Sequence, residues 1–219
     1  MHRAVSDVKR PTQKERSERT RRAIVRAATE EFCASGFHGT TMAAIAKRAG
    51  VAVQTVYFVF HTKPLLLTAS IDQAVVGNEA PTPPDRTEWW QEGTSTADGY
   101  RALELFVENV AIIEARAARL DRVARAAATT DLEVREVLTH HEILRVAGFR
   151  SYLATLSERG LLRERLTLDE ATDVLLTLVG STTFLEFTEG RRWAVERWIK
   201  WTTATLAWLL IEPTTGPGD

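Results

Sequence analysis

Residues 50–60 read GVAVQTVYFVF. Gln54 and Thr55 stand in an otherwise apolar stretch, with Phe58 close behind. A side-chain amide can bond an adenine edge at two points, and a threonine can bond a base or touch a thymine methyl. Phe58 suits a thymine methyl too, or packing against a neighbouring helix. The chemistry of this set is recognition of base edges rather than bond-making. Elsewhere no nucleophile–base pair, carboxylate dyad, phosphate loop or H-E-x-x-H pattern stands out, so an enzyme is not expected. His140 and His141 are adjacent. On a helix they point about 100° apart and share one ion poorly, so they read as surface or pocket-edge residues. A single cysteine, Cys33, excludes an internal disulfide and a cysteine-based zinc cluster. No metal and no cofactor is expected.

Base-reading side chains need a rigid helix. Helical spacing puts Val56, Val59 and Phe60 on one side of VQTVYFVF and leaves Gln54, Thr55 and Phe58 elsewhere. The window 42–61 fits a helix-turn-helix. Ala46 is small where the two helices would cross, and Gly50 can take positive φ in the turn. Ile45, Ala49, Val51, Val56 and Val59 are the apolar set that ties both helices to a core. Thr40 and Thr41 offer an N-cap for MAAIAKRA. Thr41 could cap, touch phosphate, or do both. Upstream, Ile24, Ala28 and Phe32 recur every four residues from about Thr20, until Gly36 stops the run. Downstream, a helix starts near Lys63-Pro64 and runs to about Gly77.

Charge divides the chain in the same place. Residues 1–63 hold 12 Lys/Arg and 5 Asp/Glu, a balance of +7. The rest holds 28 − 12 = 16 basic and 29 − 5 = 24 acidic residues, a balance of −8. A basic head on an acidic body suits a polyanion partner at the head; the plain alternative is a solvated basic tail. The chain of 219 residues has no apolar run of the roughly 18 residues a membrane helix needs. Its first residues have no apolar secretory h-region. A cytoplasmic protein without a membrane partner is expected.

The remaining pattern is helical throughout, so the fold class is all-α. Residues 1–19 read as a flexible basic arm, 20–66 as the helix-turn-helix domain and 67–219 as a larger helical domain. A polar, proline-rich loop is expected over 78–97, with at least one of Trp89 and Trp90 folded back onto the body. Helices are expected over 98–117, 121–129, 131–159, 167–189 and 192–211, the last closed by Pro213.

The segment Ile24 to Leu67 resembles the TetR family of transcriptional regulators. The resemblance is carried by IVRAATEEF, Gly36-Phe37, Thr40-Thr41, IAKRAGV, TVYFVF and Lys63 ahead of LLL. It implies phosphate contacts at Tyr57 and Lys63. The chain departs from the family where Ala52, Val53 and Val59 stand in place of commonly polar residues. The family further implies a homodimer that represses transcription at a palindromic operator in double-stranded DNA. A small effector bound to the C-terminal domain would release it.

Asn109 and Glu114 interrupt one apolar helix, and Thr177, Ser181, Thr182, Thr183 and Glu186 another. Apolar walls with a few polar groups suit a small-molecule pocket, and the alternative is that these groups bond one another or the backbone. Pocket aromatics are expected from Trp89, Trp90, Phe106, Phe149, Tyr152, Phe184 and Phe187, for a largely apolar ligand. The last helix is apolar on more than one face, so a second chain could cover part of it. Gly180, Trp201 and Trp208 are the candidate dimer residues, in the four-helix bundle that the family implies. A helical architectural protein that binds DNA without regulating is the competing class; sequence-indifferent affinity would mark it.

Overall fold

The computed structural model describes residues 12–77 and 86–212. Among them the chain is helical, with one isolated antiparallel bridge between Leu162 and Ile211. It packs as two compact units, one ending at Ser70 and the other beginning at Ile71. Expected features at residues 1–11, in the loop over 78–85 and at Pro213 lie outside the described residues.

In the N-terminal unit, α1 spans Gln13–Gly39, α2 Met42–Ala49 and α3 Val53–Phe60, and α4 begins at Lys63 and runs to Val76. The expectation of a mobile arm to residue 19 fails for its last residues. Thr12 accepts from the Glu15 amide while the Glu15 carboxylate accepts from the Thr12 amide, a capping box that starts α1 seven residues early. Gly36, at φ 69° and ψ 174°, kinks the far end of α1 and lets Phe37 turn inward. The core of this unit is Ile24, Val25, Ala28, Phe32, Phe37, Ile45, Ala46, Val56, Phe60, Leu66 and Leu67, all buried.

The C-terminal unit is built on α6, Gly99–Ala127, against which α5 (Glu88–Ser95), α7 (Leu132–Glu158), α9 (Ser181–Leu185) and α10 (Val195–Leu210) all pack. α8 is Leu168–Val179. The expected helices over 98–117 and 121–129 are one element, because no glycine or proline separates Ala117 from Ala127 and the buried stripe continues through Leu120 and Ala124. The expected loop over 78–97 contains α5. Trp89 and Trp90 meet Tyr152 at ring-centroid distances of 6.1 and 5.0 Å, and burial of those rings holds the helix down. The expected helix over 167–189 is broken. Gly180 is extended (φ −69°, ψ 156°), and a Cβ there would lie 2.8 Å from the Leu176 carbonyl. The Thr183 hydroxyl donates to the Thr177 carbonyl across the break, satisfying a group that the missing turn strands. After α9 the chain makes a π turn over Glu186–Gly190, and α10 starts at Val195 rather than Arg192. Its end is tied back by hydrogen bonds from Arg163 N to the Leu210 carbonyl and from Glu212 N to the Leu161 carbonyl.

Candidate nucleic-acid interface

α2 ends in a left-handed residue, Gly50, at φ 70° and ψ 32°. The Val51 amide reaches back to the Ala46 carbonyl and the Gly50 amide to the Lys47 carbonyl. This is the Schellman arrangement, and it closes the stranded carbonyls of a short helix. α3 then leaves at 109° to α2, within the roughly 90–120° of helix-turn-helix units. Ile45 and Ala46 on α2 and Val56 and Phe60 on α3 are fully or nearly fully buried, so the crossing is fixed by close packing. Arg48 adds ion pairs to Glu30 at 2.9 Å and Glu31 at 2.6 Å on α1.

The other face of α3 is bare. Phe58 is 83% exposed and Tyr57 50%. Gln54 is exposed beside them, and Thr55 is half-buried. An exposed Phe on a helix anchored by Val56 and Phe60 has no folding rationale; burying it would stabilise the chain by about 1.5–3 kcal/mol. Thr41 is exposed and its hydroxyl accepts from the Ala44 amide, so it caps α2. Its neighbour Thr40 is buried, with its hydroxyl 2.7 Å from the Gly36 carbonyl and 3.0 Å from that of Glu31.

Lys63 is engaged within the head. Its ammonium donates to the carbonyls of Phe37 (2.7 Å) and Thr40 (3.0 Å) and sits 4.3 Å above the Phe37 ring. It clamps the end of α1 to the start of α4. The turn that aims it is strained. His61 sits at φ 55°, ψ −56°, and the Thr62 amide bonds the Phe60 carbonyl at 2.5 Å, a γ-turn with positive φ.

Residues 24–69 match the family model described as bacterial regulatory proteins, tetR family. Over those residues the chain is similar to the TetR family, and the helix-turn-helix of α2 and α3 lies inside the match. Its fold is shared with solved structures of TetR-family regulators. A TetR-family transcriptional regulator from Mesorhizobium loti is 23% identical, with 90% of this chain and 99% of that one covered and a TM-score of 0.66. One from Rhodococcus sp. is 16% identical over 88% and 99% of the two chains, also at 0.66. NalD, the secondary repressor of the MexAB-OprM multidrug efflux pump in Pseudomonas aeruginosa, is 22% identical over 91% and 99%, at 0.68. No curated protein sequence matches the chain.

The larger unit gathers some of the expected pocket residues and separates others. Trp89, Phe106, Phe149 and Tyr152 come together: Phe106 is 4.7 Å from Tyr152 and 4.9 Å from Phe149, and Trp89 6.1 Å from Phe106. They pack as core, with the Tyr152 hydroxyl donating to the Ala102 carbonyl at 2.7 Å and burial raising its pKa. Asn109 donates to the Leu105 carbonyl of its own helix. Phe184 meets Trp198 edge-on at 5.0 Å instead. Open volume lies elsewhere. A cleft of about 480 Å³ is lined by Asp121, Arg122 and Arg125 of α6 and by Ser181, Thr182 and Leu185 of α9. The three α6 residues escape a sequence reading that ends the helix at 117, though Glu114, Asp121 and Arg125 repeat at i, i+7 and i+11. Of the candidate dimer residues, Gly180 stands at the α8–α9 break, Trp201 packs against Phe187 with the rings tilted at 4.7 Å, and Trp208 is 74% exposed. His141 Nε2 lies 2.9 Å from Asp72 Oδ1.

Proposed function

We propose that this chain is a TetR-family repressor that binds a palindromic operator as a homodimer and is released by a small molecule bound to the C-terminal unit. The bare outer face of α3, with Gln54 and Phe58 exposed while Val56 and Phe60 are buried, carries the reading. Gln54 and Thr55 read base edges, Phe58 meets thymine methyls, and Thr41 and Tyr57 set the register on phosphates. The 480 Å³ cleft is of the size small-molecule sites use. Trp208, exposed on the last helix, supports a partner chain at that helix.

A ligand can release DNA only by binding the DNA-incompetent arrangement more tightly. By linkage, operator DNA then weakens the ligand by the same factor, typically about 5–150-fold. The test titrates a ligand that binds the C-terminal unit with and without saturating operator, at fixed salt. Weaker binding in the presence of operator is expected. Equal affinities would remove induction from the account.

A further inference from the structure

Glu114 is a carboxyl in the wrong place for a core. It is 7% exposed, on the buried stripe of α6. The Ser181 hydroxyl bonds it, yet its Oε2 is buried without a hydrogen-bond partner. Burial pushes its pKa from 4.5 up to about 7, the Ser181 bond and Arg145 opposing that rise and Asp121 adding to it. A buried carboxylate oxygen left unbonded is costly and calls for a complement.

The 480 Å³ cleft provides access, since Ser181 is both a wall of the cleft and the partner of Glu114. The wall is irregular because the chain breaks at Gly180, restarts at Ser181 and makes a π turn at Glu186, and π turns recur at functional sites. The guanidinium groups around it pair with other carboxylates, although Arg145 Nε is buried without a hydrogen-bond partner. Arg125 pairs with Asp121 at 2.6 Å, Arg122 with Glu189 at 2.8 Å, and Arg145 with Glu142 at 2.6 Å. The carboxyls of the wall are themselves paired, Asp121 with Arg125, Glu189 with Arg119 and Arg122, and Glu186 with Arg191, which leaves Glu114 Oε2, among the described residues, as the buried carboxyl oxygen without a bond. That unsatisfied acceptor calls for a charged donor from the cleft.

We infer that the cleft at the α8–α9 break binds a small organic cation, an amine whose ammonium reaches Glu114 while its apolar part lies along Leu185 and Thr182. The inference rests on the reading of the C-terminal unit as the effector domain. The charge-assisted bond from the ammonium supplies the partner that Oε2 lacks, and Ser181 orients the carboxylate toward the cleft.

Two probes of one shape separate charge from size: 4-phenylbutylamine and 4-phenylbutan-1-ol. Binding to the full chain is measured by calorimetry at about pH 8, where both the ammonium and the Glu114 carboxylate are charged. The amine is expected to bind at least about tenfold more tightly than the alcohol, the scale of a hydrogen bond to a charged group. Glu114→Gln should abolish that preference, and Ser181→Ala should reduce it. Equal binding of the two probes, no detectable binding of either, or a preference that survives Glu114→Gln would each overturn the proposal. Operator affinity measured with the amine at saturation is a separate readout. A preferred amine that leaves DNA binding unchanged would keep the ligand class of the cleft and overturn only its role as the effector site.

Discussion

At the scale of single residues, polar groups hidden from solvent distinguish structural from functional roles. Lys63 donates to two carbonyls whose residues stand 26 and 23 positions earlier. Lys63→Ala is therefore expected to lower stability by about 1.5–3 kcal/mol, the range for hydrogen bonds to a charged group. It should leave the salt dependence of DNA affinity nearly unchanged, and denaturant melts beside a salt titration check both. His61 holds a positive φ that costs a non-glycine residue about 1–3 kcal/mol, so His61→Gly should stabilise the head by about 1 kcal/mol. Gln54→Ala should cost about 1–3 kcal/mol at one base pair and little at others. Competition binding with single-base operator variants reads this, and an unchanged preference would remove Gln54 from the base-reading set. Glu114 carries the pH dependence. Its folded pKa lies above the ordinary value, so between 4.5 and about 7 the native chain binds more protons than the unfolded one. Its contribution to stability is then fully present below that window and lost as pH rises through it, by at most about 3 kcal/mol. Melts of Glu114→Gln should show a flatter profile from pH 5 to about 8 than those of the wild type.

At the scale of elements, short-range signals were legible and long-range ones were not. α2, the Gly50 turn and α3 follow from residues within 20 positions of one another, and there the sequence reading and the structure agree. The same is true of α7, capped by Asp131 and ended before Gly160. The early start of α1 was legible in principle, since Thr12 and Glu15 are a capping box, but the charge of the segment hid it. The break at Gly180 was not: glycine within an apolar helical pattern signals lost stability, not an extended residue. Glu114 stood out as a polar interruption, but its partner Ser181 lies 67 residues further along the chain and no periodicity links them. α5 was masked by its polar composition, and what holds it is packing. A Cβ at Gly93 would come within 2.1 Å of the Tyr152 hydroxyl. Gly93→Ala should therefore destabilise the C-terminal unit by about 1–3 kcal/mol, the cost of overpacking, and the tryptophan fluorescence of α5 reports it.

At the scale of the whole molecule, the charge division and the two compact units match: a basic N-terminal unit with a bare helix face, and an acidic one with a cleft. α4 runs through the boundary. Its far end is held by Arg116, which donates to the Ala74 and Val75 carbonyls, and by the contact of Asp72 with His141. We propose α4 as the lever by which effector binding changes the spacing of two heads in a dimer. Two α3 helices in successive major grooves require half-sites roughly 34–36 Å apart. Selection of bound sequences from a random duplex pool, with the dimer state measured in the same buffer, tests the central claim most directly. The account predicts enrichment of a palindrome with half-sites about one helical turn apart, lost at one symmetric pair of positions in Gln54→Ala. A pool that stays random while total binding falls steeply with salt would contradict it, and would leave a protein that holds DNA without reading it.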